Sequence, residues 1–98
     1  MNDINYFSGI VKLLENPTQS FLINNNLMIK FRAQLPQTRK TKIVNLIFWG
    51  NLASDVANYY KINDYIIIEG YLGLPSKLNS KRIEITVFKT YPFVLDSN

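Results

Sequence analysis

Ninety-eight residues, 47% apolar and 18% charged, suit one folded domain with a real hydrophobic core and leave no room for a second. The absence of Cys and His excludes a disulfide framework, a thiolate metal site and the commonest general base. A net charge of +4 permits a polyanion partner, although ordinary solubility charge accounts for so small an excess equally well.

Ile4 to Leu14 reads as a first strand, with Gly9 inside it marking a bulge or bend. Glu15-Asn16-Pro17-Thr18-Gln19-Ser20 follows as a loop, the Asn side chain bonding the backbone ahead while Pro fixes φ. Phe21 to Ile23 is a short apolar piece and Asn24 to Asn26 a tight turn. From Leu27 to Leu35 the period is two. Leu27, Ile29, Phe31, Ala33 and Leu35 face one side, and Lys30, Arg32 and Gln34 face the other. Pro36 to Thr41 is a polar hairpin loop with Arg39 and Lys40, and Lys42 stands at its exit.

Ile43 to Trp49 is rich in β-branched and aromatic residues, as a strand should be. With Val44, Leu46 and Phe48 inward, Ile43, Asn45, Ile47 and Trp49 point outward beside Lys30 and Arg32. Gly50 ends this strand. Asn51 is expected to cap a short helix whose apolar face is Leu52, Val56 and Tyr60. Asn63-Asp64 turns the chain into a strand from Tyr65 to about Leu74, whose Ile66-Ile67-Ile68 run looks buried on both sides. Gly73 to Ser80 is a second hairpin loop. A last strand alternates Ile83, Ile85 and Val87 with Arg82, Glu84 and Thr86, and is read as far as Val94.

Catalysis is poorly supplied. Asp3, Glu15, Asp55, Asp64, Glu69, Glu84 and Asp96 are dispersed, with no close carboxylate pair on one element. No phosphate-binding Gly loop or metal-ligand spacing can be drawn. We expect no enzyme, no cofactor and no metal. No run approaches the roughly 20 apolar residues of a membrane helix, and Met1 to Asn5 lack the marks of a signal or transit peptide. The chain is therefore expected to work where it is made. Asn and Ile occur twelve times each. Both use A/T-rich codons, which suggests an A/T-rich genome such as a plastid's or a reduced bacterium's, and hence the plastid stroma or a bacterial cytoplasm.

Trp49, Gly50, Leu52, Ala53, Val56 and Tyr59, followed by Asp64, Ile66, Ile68, Glu69 and Gly70, resemble a segment of the single-stranded DNA-binding proteins of bacterial and organellar type. The segment keeps the family's spacing from Trp49 to Gly70, and the Asn5 to Gly9 opening and Pro-containing loop agree with it. The resemblance is strong over Ile43 to Gly70 and weaker on either side. It implies an all-β fold, a five-stranded OB-fold Greek-key barrel with one short helix between its third and fourth strands. It also implies binding of single-stranded DNA without strong sequence preference, in replication, recombination or repair, and a homo-oligomer, a dimer or tetramer. An outer apolar strip and Ile66-Ile67-Ile68 suit a subunit contact.

Single-strand binding needs cations for phosphates and π-faces for bases. Trp49 is the stacking candidate. Lys30, Arg32, Arg39, Lys40, Lys42 and Asn45 lie on or beside its face, and Lys77, Lys81 and Arg82 at the second hairpin. The alternative readings put Trp49 in the core or a subunit contact and leave the Arg39-Lys40-Lys42 cluster as a solvated loop. Tyr59, Tyr60, Tyr65 and Tyr71 read as core or interface. Ile43 and Lys77 stand near positions where the family carries aromatics, which predicts weaker and more salt-sensitive binding. The family's acidic C-terminal tip, which recruits other replication proteins, is not seen before Asn98. Two rivals remain: an OB domain whose main partner is another protein, and a primosome-type OB dimer that binds strands mainly through charge.

Overall fold

Alternation of apolar and polar residues builds most of the molecule. A computed structural model describes residues 5–36, 40–73 and 82–94. Its strands are β1 (Tyr6–Leu13), β2 (Ser20–Ile23), β3 (Asn26–Leu35), β4 (Lys42–Trp49), β5 (Tyr65–Gly73) and β6 (Glu84–Pro92), with helix α1 (Gly50–Tyr59) between β4 and β5. Arg39, Lys77 and Lys81 lie outside the described residues.

Five strands close a ring. β1 pairs with β5, β5 with β6, β6 with β4 in parallel, β4 with β3, and β3 with the end of β1 through Lys12 and Leu13. Each inward-pointing set fills this barrel. Val11 and Leu13, Ile29, Phe31 and Ala33, Val44, Leu46 and Phe48, Ile66 and Ile68, and Ile85 and Val87 are all buried. Phe31 and Phe48 stack at 5.3 Å between centroids. Ala53 and Val56 plug one end of the barrel from α1.

β2 is a sixth strand, outside the ring, and among the described residues it pairs with β3 alone. The expected turn beside it is a two-residue hairpin turn, with Asn24 at φ 53° and Asn25 at φ 67°. Both values lie in the left-handed region that such a turn demands and that Asn tolerates.

Several local expectations are corrected. Asn51 does not cap α1. Trp49 occupies the N-cap position with no side-chain bond, and the chain swings into the helix through Gly50 at φ 63°. The Asn16 side chain does not bond the backbone just ahead. It accepts from the Ile62 N–H at 2.7 Å, tying the first loop to the α1–β5 turn. Gly9 makes no bulge, because the β1–β5 register runs unbroken from Tyr6 to Lys12.

The irregularity lies elsewhere. Glu69 faces Lys89 while Gly70 faces Val87, so Phe88 is the extra residue of a bulge in β6. β5 is buried on one face only, with Ile66 and Ile68 inside, Ile67 half-buried and Tyr65 exposed. Ile66 and Ile68 therefore serve this chain's own core and are unavailable for a subunit contact. The last strand stops at Pro92, short of Val94.

Candidate nucleic-acid interface

The β3–β4 register gathers most of the sequence-selected residues on one outer wall. Met28 lies opposite Trp49, Lys30 opposite Ile47, Arg32 opposite Asn45 and Gln34 opposite Ile43. β6 extends the wall, with Glu84 beside Asn45 and Thr86 beside Ile47. The phase follows from the core: Val44, Leu46 and Phe48 are fully buried, so their neighbours must face out.

Trp49 stands at one end of the wall and is 40% exposed. It is not a core residue. Lys40 and Lys42 are exposed beyond the opposite end; Lys42 lies opposite Leu35, in the phase of the inward set, and so stands at the barrel rim and not on the wall itself. β4 runs eight residues between these ends, which at ~3.3 Å per residue gives a track of roughly 23 Å.

The centre of the wall departs from the expected open clamp. Lys30 Nζ reaches across β4 to Glu84 Oε2 at 2.9 Å, and the Glu84 side chain is almost buried. Glu84 was expected outward on a polar strand face, and this ion pair with Lys30 accounts for its burial in place of exposure. Arg32 is likewise engaged. Its backbone N–H and Nε both donate to Glu15, at 2.8 and 2.9 Å. The backbone N–H of Arg32 holds the Glu15 carboxyl below the usual carboxylate range, partial burial opposes this, and the Arg32 guanidinium and the Arg82 charge add to the lowering. Arg82, half-buried two residues before β6, is thus brought close to Glu15.

Lys30, Arg32, Asn45, Trp49 and Arg82 therefore share one side of the barrel, with Lys40 and Lys42 at its far end. Arg39, Lys77 and Lys81 fall outside the described residues. Sequence reasoning missed Met28, which the period-two phase of Lys30 would have found, and the two carboxylates. Of the four tyrosines read as core or interface, only Tyr60 packs against the core, while Tyr59, Tyr65 and Tyr71 are exposed. No group of three or more metal-ligating carboxylates occurs among the described residues, and none of their helices is long and apolar enough to cross a membrane.

A closed five-stranded barrel whose one helix joins its third and fourth ring strands is the OB fold. Solved structures agree. The SSB domain of a Synechococcus protein superposes with a TM-score of 0.77 at 20% identity, over 93% of this chain and 98% of that one. The small single-stranded DNA-binding protein of Streptomyces coelicolor gives 0.79 at 11% identity, over 96% of each chain. The second single-stranded DNA-binding protein of Mycobacterium smegmatis gives 0.76 at 21%, over 92% of this chain and 89% of that one.

No family model matches the chain. Its sequence is 45% identical to a Trieres chinensis protein named as single-stranded DNA-binding protein ycf41, over 96% of this chain and 93% of that protein. The Porphyra purpurea protein of the same name is 30% identical over 63 residues, 64% of this chain and 57% of that one. The chain belongs to the ycf41 family, within the OB-fold class.

Proposed function

We propose that this chain binds single-stranded DNA on the β3–β4 wall, without strong sequence preference, and coats exposed strands during replication, recombination or repair. The observation that carries this reading is the exposed Trp49 indole at one end of a wall whose far end adjoins the exposed Lys40 and Lys42 at the barrel rim. A base stacked on an aromatic contributes about 1–3 kcal/mol, and lysines track the backbone without reading bases. The Trieres relative's name and the fold shared with three single-strand-binding proteins support it. Arg39, Lys77, Lys81 and Arg82 extend the clamp in this proposal. The chain acts as one domain, as a binding protein rather than an enzyme, and self-associates. Plastid stroma is the proposed location, supported by the A/T-biased composition and by relatives bearing a name of the ycf type.

The internal pairing of Lys30 and Arg32 favours a second reading, in which the barrel binds mainly another protein and strands only weakly. Anisotropy of a labelled thymine oligomer separates the two. The proposal expects Trp49→Ala to weaken binding by about 1–3 kcal/mol, and Lys40→Ala with Lys42→Ala to weaken it further and flatten the salt dependence. Binding that ignores all three changes would remove this wall from the function.

A further inference from the structure

β2 presents three consecutive exposed apolar side chains, Phe21, Leu22 and Ile23, on the last strand at its end of the sheet order. Strands in that position are ordinarily blunted by charge or Pro. β2 has neither. Its register with β3 fixes the face that each side chain joins. Phe21 lies opposite Met28, and Met28 lies opposite Trp49. Directly opposed residues of antiparallel strands project on the same side of the sheet. Phe21, Met28 and Trp49 therefore form one row on the outer wall. Leu22 pairs with Leu27 and falls on the reverse side, while Ile23 resumes the outward phase opposite Asn26. Phe21 and Trp49 are exposed to nearly the same degree, 43% and 40%, with the half-buried Met28 between them.

Spacing assigns the two rings to different bases. Neighbouring strands stand about 4.8 Å apart, so Phe21 and Trp49 are separated by roughly 10 Å across the row. Two rings that sandwich one base stand only about 7 Å apart, twice the ~3.4 Å between stacked bases. Separate bases fit the wider interval, with the Met28 thioether as the floor between them, since sulfur makes favourable contacts with aromatic faces.

Charge favours this direction across the wall. Toward the middle of β4 a strand meets the Glu84 and Glu15 carboxylates, which already engage Lys30 and Arg32. The row from Trp49 to Phe21 holds no charged side chain to repel a phosphate. Other exposed rings, Tyr6, Tyr71 and Phe88, cluster on the outer side of β1, β5 and β6, beside the cross-strand neighbours Glu69 and Lys89. The β4–β6 pairing ends at Ile47 and Thr86, short of both Trp49 and Phe88. Phe21 is thus the ring that a paired row joins to Trp49.

We propose that Phe21 is a second base platform. A strand stacked on Trp49 crosses Met28 and lays a further base on the Phe21 ring, so that its path turns off β4 onto the β2–β3 hairpin. The proposal rests on the strand-binding reading above and adds to it a residue and a direction.

Anisotropy of a labelled thymine oligomer of about 30–40 nucleotides, longer than one OB fold covers, tests it on the full chain. Phe21→Leu keeps an apolar side chain on β2 and removes the ring. It should weaken binding at least about fivefold, the low end of the range for one stacked base, whereas Phe21→Trp keeps a ring and should retain binding. Losses at two separate bases multiply. The double variant Phe21→Leu with Trp49→Ala should therefore match the product of the single losses within about twofold. A second measurement does not depend on affinity. In a Trp49→Phe background, Phe21→Trp puts the chain's one indole on β2, and the single strand should quench it. The proposal is overturned if Phe21→Leu binds as the parent does, or if that indole is unmoved by a strand shown to be bound. Either result, with binding still dependent on Trp49, would leave the β3–β4 wall in place and the hairpin to an extended protein segment pairing with β2. A double variant no weaker than Trp49→Ala alone also overturns it, because both rings would then serve one base. An oligomer that the parent itself does not bind overturns this proposal and the strand-binding reading together.

Discussion

Glu15 occupies the place beside Arg32 that a phosphate oxygen would take, and Glu84 does the same for Lys30. A strand crossing the centre of the wall must compete with these carboxylates or pass between them. Removing them should therefore help binding. Glu15→Gln and Glu84→Gln are each expected to raise oligonucleotide affinity severalfold. Each should also steepen the salt dependence by about 0.7 in log–log slope, the amount for one additional phosphate contact to a single strand. Salt titrations of the two variants against the parent provide the check.

The same contact has a pH signature. The Glu15 carboxyl is held low by the Arg32 backbone N–H first and by nearby guanidinium charge second. A carboxylate lowered on folding contributes stability above its unfolded value, and that contribution is lost as pH falls through the folded value. Thermal unfolding from pH 7 downward should show the parent losing stability below the ordinary carboxylate range. Glu15→Gln should lose less over the same interval. At this scale the cations were legible, because period-two alternation assigns Lys30 and Arg32 to the outside. Their partners were not. Glu15 and Glu84 lie 17 and 54 residues away in the chain, and only barrel closure brings them to the wall.

At the scale of the elements, alternation located the inward residues of β3 and β4 and the strand–helix–strand order around Gly50. It failed where an end or an edge depends on a distant partner. β2 is four exposed residues, too short for a period, and exists because β3 overhangs the ring. The helix cap was misplaced because Asn51 has capping chemistry, whereas the turn into α1 is set by the left-handed backbone of Gly50. The bulge at Phe88 carries no local sequence signal. The register shifts at Gly70, on which β6 is tightly seated: an added Cβ there would lie 2.5 Å from the Thr86 carbonyl oxygen and 2.8 Å from Ile85 Cγ2. A backbone oxygen cannot rotate away, so Gly70→Ala must spread β5 from β6. Overpacking of this kind costs about 1–3 kcal/mol. Urea unfolding should show that loss, and an unchanged midpoint would mean that the β5–β6 seam relaxes freely.

The whole molecule is a barrel with two dissimilar outer walls. One joins a single exposed indole to a row of cations, partly neutralised from within. The other is aromatic and nearly neutral at its centre. Composition forecast neither division, since a net charge of +4 says nothing about where charge sits. The division follows from barrel closure, which turns β3, β4 and the start of β6 to one side and β1, β5 and the rest of β6 to another.

The central claim is that Trp49 and the β3–β4 wall receive an unpaired strand. Trp49 is the only tryptophan, so its fluorescence reports this place alone. The decisive measurement is its titration with a thymine oligomer of about 30–40 nucleotides, longer than the roughly 4–16 that one OB fold covers, set beside duplex DNA and repeated at two salt concentrations. Quenching by the single strand but not by the duplex, weakening as salt rises, is the predicted result. Fluorescence unmoved by a strand that a labelled-oligomer assay shows to be bound would put the strand elsewhere on the barrel, and no binding in either assay would contradict the strand-coating role itself.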